Sequence, residues 1–132
     1  MAPFAKLIGE EILLLEVSMT VIVHWMQSWF ECFPAAPVPT MQAIDSIMIS
    51  EDPELTNHMT RLGFQSREYA WPILRSMFAQ NLTSNDWQRL FDHLLIHLKA
   101  PDLLNYVTVA YLILHKRAIM TKIACREDLF QF

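Results

Sequence analysis

The sequence predicts an all-α protein of about six helices joined by short loops. Of its 132 residues, 53% are hydrophobic and 18% are charged, so the chain can bury a core and lacks the composition of a disordered protein. Only two residues are glycine, which disfavours a sheet protein with many tight turns. Apolar residues recur at every third or fourth position through most of the chain, and this is the period of an amphipathic helix.

The first predicted helix spans 12–30 and is apolar enough to suggest a membrane span or a signal sequence. Glu10 and Glu11 stand where a signal sequence carries basic residues, and a span would hold Glu16 and His24 in hydrocarbon. We therefore expect a long core helix with one polar stripe, and a small membrane protein is the alternative. The polar stripe comprises Thr20, His24, Gln27, Ser28 and Glu31. The apolar side comprises Ile22, Trp25, Met26, Trp29, Phe30 and Phe33.

A proline-punctuated connection over 34–39 then interrupts the helical pattern, because proline lacks a backbone N–H group. A short helix ending near Ser50 follows. Asp52, Pro53 and Glu54 read as an N-cap, a proline at the first helical position and an acid in the first turn. Gly63 is placed to end the helix that they start. The apolar residues of these two helices are Met41, Ile44, Ile47 and Met48 in the first and Leu55, Met59 and Leu62 in the second.

Two further helices are predicted from Ser66 and from Thr83. Pro72 lies inside the first, so we expect a kink or an early 3₁₀ start there. Thr83 and Asp86 have the spacing of a capping box at the start of the second. The first carries Trp71 beside an apolar face of Ala70, Ile73, Leu74, Met77 and Phe78. The second carries Trp87, Leu90, Phe91, Leu94, Leu95 and Leu98 at helical spacing.

The segment from Leu103 to Leu114, which follows Pro101, is apolar on nearly all sides. Its β-branched residues would also suit a buried strand, but its length and helical neighbours favour a helix. We expect it to be the central, fully buried helix. The segment 126–132 resembles the opening turns of a further helix.

The sequence predicts no metal, phosphate or nucleic-acid site. His93 and His97 share one helix face, but Leu94 stands where a zinc-protease motif needs glutamate, so a solvated histidine stripe is the better interpretation. The two glycines stand alone, and no phosphate-binding loop is present. The net charge of −4 disfavours nucleic acid, and the densest basic group is sparse. That group is Lys116, Arg117, Lys122 and Arg126.

Cysteine usage and the amount of apolar surface bear on the chain's surroundings. Cys32 and Cys125 have no metal-binding spacing and are expected to be buried apolar fillers. Several helices are apolar beyond a single stripe, and a complete small domain would then expose unusually large patches. We therefore expect more protein to cover these faces, either from the same chain or from a partner.

The run from Asp52 to Leu114 resembles the C-terminal half of a TBC domain, the helical domain of Rab GTPase-activating proteins. That half has an acid-Pro-x-Leu start, an aromatic-Ala-x-x-Trp core, an Arg-x-Trp-Asp element and a hydrophobic helix. Here the same order is Asp52-Pro-Glu-Leu55, Tyr69-Ala-Trp71-Pro-Ile-Leu74, Arg89-Leu-Phe-Asp92 and 103–114. Tryptophan comes early in the second element, and phenylalanine replaces it in the third. The resemblance marks as fold-signature residues Asp52, Pro53, Leu55, Tyr69, Trp71, Trp87, Arg89, Phe91 and Asp92.

The resemblance implies that residues 1–132 are part of one TBC domain, its C-terminal half, with 52–114 matching best. Active members of the family use an arginine in Ile-x-x-Asp-x-x-Arg and a glutamine in Tyr-x-Gln, which stabilise transition-state charge and orient the attacking water. Ile49 to Leu55 copies the first spacing, but leucine occupies the arginine's place. None of Tyr69, Tyr106 and Tyr111 is followed two residues later by glutamine. We expect no catalytic residue, cofactor or metal in this chain, and structural roles for Arg89 and Asp92, whose spacing allows an ion pair.

Other segments narrow the resemblance to the TBC proteins that also carry WD repeats. Such proteins are cytoplasmic and are associated with centrosomes or centriolar satellites and with cilium formation. The resemblance therefore implies an interaction module whose partners are a Rab-type GTPase, centrosomal proteins or the domain's N-terminal half. An unrelated helical adaptor that offers an apolar groove to a partner helix is the alternative. The narrowing segments are Val21–Trp25, Trp29–Pro34, Glu68–Phe78 and Asp86–Asp92.

Overall fold

The computed structural model describes residues 9–97, 99–100 and 102–122, without the side chain of Ser28. Over these residues the regular secondary structure is entirely helical, which confirms the all-α prediction. Leu98, Pro101, Cys125 and the further helix expected over 126–132 lie outside the described residues.

The first helix is continuous but not uniform. It comprises α1 (Glu11–Val21), a π-helical turn (Ile22–Met26) and α2 (Gln27–Glu31). The buried side chains are Val21, Trp25 and Trp29, whereas Phe30 is 58% exposed and Phe33 is 79% exposed. The prediction that both phenylalanines face the core is wrong, because the wide π turn shifts the buried face and Phe33 follows the end of α2. Within the described residues, no helix combines the length and the apolar character needed to cross a membrane.

Helices α3 (Val38–Glu51) and α4 (Pro53–Arg61) meet at Asp52. Helix α3 begins inside the predicted connection, because a proline in the first turn of a helix loses no intrahelical hydrogen bond. The predicted start of α4 is confirmed, since Asp52 accepts a hydrogen bond of 3.0 Å from the backbone N–H of Leu55. Gly63 follows α4 with a φ of +80°, the left-handed conformation that favours glycine.

The helix predicted from Ser66 is two short helices, α5 (Ser66–Tyr69) and α6 (Trp71–Arg75). The expected kink is a full break at Ala70, because Pro72 has no N–H group to continue the hydrogen bonds of α5. Met77 and Phe78 were expected on the same helix, but both lie beyond it with φ of 51° and 63°. They are nevertheless buried, and they reach the core from a left-handed turn.

Helices α7 (Ser84–Ile96), α8 (Leu103–Leu114) and α9 (Lys116–Lys122) complete the described chain, and α9 was not predicted. Thr83 caps α7 as expected, since its hydroxyl accepts from the N–H of Asp86 at 3.2 Å. The same hydroxyl donates to the Asp86 carboxylate at 3.0 Å. In a capping box the acid would instead accept from the backbone N–H of the N-cap residue. Cys32 is a free, half-buried thiol in the turn after α2, so the prediction of a buried cysteine is wrong at this position.

Helix α3 lies at the centre of the packing and contacts α8, α4 and α5, while α9 contacts α4 and α8. Helix α8 is buried only along the side that holds Leu104, Thr108, Val109 and Leu112. The prediction of a fully buried α8 is wrong, because Leu114 is 81% exposed and Tyr106 is 54% exposed. Helix α3 packs against only one side of α8. The buried aromatic side chains of the core are Trp25, Trp29, Phe64, Tyr69, Phe78, Trp87 and Phe91.

Candidate functional site

An ion pair joins the start of α4 to the start of α9. Lys116 Nζ donates to Asp52 Oδ1 at 3.0 Å and to Glu54 Oε2 at 2.7 Å. Asp52 is buried, and the same Oδ1 atom also accepts the capping bond from Leu55. One aspartate therefore caps α4 and fixes α9 beside it. We call Asp52, Glu54 and Lys116 the acid corner.

In the acid corner, contacts between the opposite charges shift the pKa values of Asp52 and Lys116 in favour of the charged forms. Burial by itself raises the pKa of Asp52, but hydrogen bonds from Leu55 and Lys116, together with the lysine's charge, outweigh it and leave the pKa below its usual value. Hydrogen bonds to Glu54 and then to Asp52 raise the pKa of Lys116. Both groups are therefore held in their charged forms. Lys116 lies 64 residues from Asp52, and no local pattern in the sequence marks the pairing.

Tyr69 and Trp71 stand on either side of the break between α5 and α6. Trp71 packs edge-to-face on Trp29, with ring centroids 5.2 Å apart and an interplanar angle of 83°. Tyr69 is buried, and its burial, followed by the charge of Asp45, raises its pKa to about 12. The break thus anchors the α5–α6 segment on the first helix and on α3.

Trp87 and Phe91 lie one turn apart on α7 and are both buried. Their rings stack with centroids 4.4 Å apart. Arg89 and Asp92, on the same helix, are exposed. The ion pairs described above join Lys116 to Asp52 and Glu54, and the Arg89–Asp92 pair that the sequence spacing allows is not among them. The buried and half-buried fold-signature residues therefore make their contacts in three places, at Asp52, at the α5–α6 break and on α7.

An apolar groove of about 400 Å³ opens between α7 and α8. Its lining is almost wholly apolar, and Phe78 and Tyr111 meet edge-to-face at a centroid distance of 5.9 Å. Leu114, at one end, is largely exposed to solvent. We call this feature the α7–α8 groove. It is lined by Phe78, Leu82, Asp86, Leu90, Val107, Ala110, Tyr111 and Leu114.

A second apolar surface follows the first helix. Its residues are three or four positions apart, so they share one helix face. All four are more than half exposed, so this face of the first helix presents apolar side chains to solvent. We call it the α1 stripe: Ile12, Leu15, Met19 and Val23.

Little in the described chain resembles a metal site. His93 and His97 are exposed, and Nδ1 of His97 donates to the backbone carbonyl of His93 at 2.9 Å. Among the described residues, no three histidine, cysteine or acidic side chains are grouped as metal ligands would be. The arrangement instead offers apolar surface around a fixed ionic corner, which suits contact with other protein.

The family model of the Rab-GTPase-TBC domain matches residues 38–120. That range extends beyond 52–114 at both ends, and it holds the acid corner, the α5–α6 break and the α7–α8 groove. This chain belongs to the Rab-GTPase-TBC family. The TBC match begins with α3 and ends within α9, so the helix that sequence analysis missed is part of the domain.

Curated relatives agree with this TBC assignment. The chain is 38% identical over 112 residues to TBC1 domain family member 31 of Xenopus laevis, covering 84% of this chain and 10% of that protein. It is 37% identical over 110 residues to the Mus musculus protein of the same name, covering 83% and 11%. It is 34% identical over 132 residues to the Homo sapiens one, covering 98% and 12%. The chain therefore spans about a tenth of the length of these relatives, and no solved structure matches it significantly.

Proposed function

We propose that this chain acts as a non-catalytic interaction module, the C-terminal half of a Rab-GAP-type TBC domain. The family match over residues 38–120 carries the proposal. The arginine and glutamine motifs that active TBC domains use are absent from these 132 residues. These 132 residues therefore lack the two side chains with which active family members stabilise the transferring phosphoryl charge and orient the attacking water.

The α7–α8 groove and the α1 stripe are the surfaces through which the module would work. We assign the groove to the N-terminal half of the same kind of domain. Its open apolar wall on α8 fits a covering helix better than solvent, because exposed leucine gains free energy when it is buried. The acid corner supports the groove indirectly, since it fixes where α8 ends and α9 begins.

Finer parts of the proposal rest on the likeness to WD-repeat-bearing TBC proteins. They are a role as a scaffold or in Rab regulation, a cytoplasmic location at centrosomes or centriolar satellites, and a link to cilium formation. A Rab-type GTPase and centrosomal proteins are the proposed partners.

A hydrolysis assay tests the catalytic part. The 132-residue chain is mixed with a panel of GTP-loaded Rab GTPases, and phosphate release is followed over time. We expect release at each GTPase's intrinsic rate, because both finger residues are lacking. Acceleration of any member would overturn the non-catalytic assignment, and binding of a GTP-analogue-loaded Rab without acceleration would support it.

A co-expression experiment tests the groove. The chain is produced with the N-terminal half of the TBC domain of the Xenopus laevis relative, and complex formation is measured by size-exclusion chromatography. Leu114→Asp should abolish the complex. Ile96→Asp is the matched control, because Ile96 is similarly exposed, at 75% against 81%, but does not line the groove. Equal loss with both variants, or no complex with the unaltered chain, would contradict the groove assignment.

The helical adaptor remains a second candidate because the same groove could hold an amphipathic helix from an unrelated partner. Denaturant unfolding of the chain separates the two. A self-sufficient adaptor has the same free energy of unfolding with and without the N-terminal half of a TBC domain, whereas half of a domain is stabilised when the other half binds.

A further inference from the structure

Helix α1 is apolar on two opposite sides. Leu14, Val17 and Val21 are three and four positions apart, so they share one side, and they pack against the core. The α1 stripe lies on the other side, with all four of its side chains more than half exposed. A helix that is apolar all round is ordinarily buried all round. The described part of the chain covers the first side and leaves the α1 stripe open to another molecule.

Two glutamates border the α1 stripe. An α-helix turns by about 100° per residue, which places Glu11 and Glu16 at its two edges. Glu11 is four positions before Leu15, and Glu16 is four positions after Ile12, so each carboxylate lies next to an apolar side chain of the stripe. Both glutamates are exposed. The apolar face is therefore flanked by a negative charge on each side.

The negative charge extends well beyond these two side chains. Residues 7–60, between Lys6 and Arg61, contain eight acidic residues and no lysine or arginine. Lys116 reaches this part of the chain from α9, but it pairs at the acid corner rather than beside the α1 stripe. A partner that approaches the stripe therefore meets an apolar surface in a negative field.

We propose that the α1 stripe binds an amphipathic helix of a partner protein that is rich in lysine or arginine. Apolar side chains of the partner, three and four positions apart, pack on the stripe. Basic side chains on either side of them pair with Glu11 and Glu16, as the flanking positions of a coiled coil do. This inference rests on the proposed function in one respect, since both treat the chain as an interaction module, and it adds the chemistry of one partner.

Charge complementarity distinguishes this occupant from the others. A second copy of the chain would bring the glutamates of one stripe close to those of the other, and contact between like charges is unfavourable. A membrane surface that carries anionic lipids repels carboxylates in the same way. A basic helix covers the same apolar area and is attracted at both edges. The acidic border therefore favours the basic helix.

Two designed peptides of about three heptads each are the probes. Both have leucine at heptad positions a and d; one has lysine at every e and g position and the other has glutamate there. Their affinities for the 132-residue chain are measured by fluorescence anisotropy of labelled peptide. We expect saturable binding of the lysine peptide and at least about tenfold weaker binding of the glutamate peptide. Equal affinities would overturn the proposal.

A pair of variants locates the binding surface. Leu15→Ser should weaken binding of the lysine peptide at least about tenfold, because it removes an apolar contact at the middle of the stripe. Ile49→Ser is the matched control, since Ile49 is similarly exposed, at 59% against 63%, but lies on α3. Unchanged affinity in Leu15→Ser, or an equal loss in both variants, would show that the peptide binds elsewhere and would refute the site.

Reversal of the two edge charges tests the electrostatic part. The double variant Glu11→Lys, Glu16→Lys should prefer the glutamate peptide, and this gain of binding cannot result from a failure to fold. Glu51→Lys combined with Asp92→Lys changes the net charge equally, at exposed positions outside the first helix, and should keep the original preference. If the first variant keeps the original preference, or the second loses it, the assignment to Glu11 and Glu16 is wrong.

Three measurements would reveal a different occupant, and each such result overturns the proposal. A dimer that Leu15→Ser dissociates in analytical ultracentrifugation assigns the stripe to a second copy. Binding to phosphatidylcholine vesicles that the same variant abolishes assigns it to lipid. Displacement of the lysine peptide by the N-terminal half of the Xenopus laevis TBC domain places the stripe inside the domain. Failure of both peptides to bind refutes this inference alone, because the α7–α8 groove takes no part in these experiments.

Discussion

The indole Nε1 of Trp87 donates a hydrogen bond of 2.9 Å to the backbone carbonyl of Met77. Met77 and its neighbour Phe78 both have positive φ, a conformation that costs a non-glycine residue about 1 kcal/mol or more. The bond is buried and spans ten residues, from the first turns of α7 back to the turn after α6. One fold-signature side chain thus stabilises the turn that delivers two core residues.

Trp87→Phe should destabilise the chain by about 2 kcal/mol, because the buried Met77 carbonyl loses its donor and the smaller ring leaves space. Urea unfolding followed by circular dichroism gives the free energy of unfolding. Trp71→Phe is a useful comparison, since Trp71 is only half-buried. An equal or greater loss in Trp71→Phe would show that the Met77 bond is not the main contribution.

Asp52→Ala should cost about 1–2 kcal/mol of unfolding free energy, since it removes the N-cap of α4 and the partner of Lys116. Asp52→Asn keeps an oxygen that can accept from the N–H of Leu55 and loses only the charge. Its free energy of unfolding should therefore lie between those of the unaltered chain and Asp52→Ala. The measurement is urea unfolding at neutral pH. Identical stability of the alanine and asparagine variants would show that capping contributes nothing.

The acid corner also predicts a loss of stability in acid. The pKa of Asp52 in the folded chain lies below its usual value of 3.8, so the unfolded chain binds the proton more tightly. The stabilisation is therefore present above about pH 3.8 and is lost as the pH falls through the folded-state pKa. The difference in unfolding free energy between the unaltered chain and Asp52→Asn should shrink over that range. A pH-independent difference would contradict the assignment.

A second loss is expected in alkali. Burial raises the pKa of Tyr69 from 10.0 to about 12, so between these values the unfolded chain releases a proton that the folded chain keeps, and unfolding becomes more favourable. Tyr69→Phe should remove that part of the pH dependence. The part that remains is assigned to Lys116, whose contribution is lost above its usual pKa of 10.5. Urea midpoints across this pH range, with phenolate absorbance, distinguish the two.

Gly63→Ala should cost about 1 kcal/mol, because the φ of +80° strains any residue with a β-carbon. No atom lies within 4 Å of the position that the new carbon would occupy, so backbone strain alone is measured. Gly63→Asn should cost less, because asparagine tolerates the left-handed region better. The free energy of unfolding ranks the three, and an alanine variant as stable as the unaltered chain would contradict this view.

Local patterns predicted the local parts of this fold. Asp52 and Thr83 each cap a helix by accepting from the backbone N–H of the residue three positions later, and the sequence predicts both caps. Helix α9 was missed because its seven residues carry no run of apolar residues at helical spacing. The π turn was not predicted because π and α geometry differ little locally. What distinguishes them here is that Trp25 and Trp29 are both buried, and that depends on tertiary packing.

Predictions that depended on distant contacts fared worse. The sequence shows that α8 is apolar all round, but it does not show how many neighbours cover it, and the α7–α8 groove is the result. The link from Lys116 to Asp52 crosses 64 residues of sequence and depends on how α9 turns back towards α4.

Because of the π-helical turn at Ile22–Met26, the number of residues in the first helix determines which way the side chains of α1 face. Removing one residue there would restore regular α geometry and rotate α1 by about 100° relative to Trp29. Ile12, Leu15 and Met19, the members of the α1 stripe that lie in α1, would then point in another direction without any change to their own side chains. Single-residue insertions and deletions in this turn are therefore rotational changes, and homologues that differ by one residue here should present a different side of α1 to their partners.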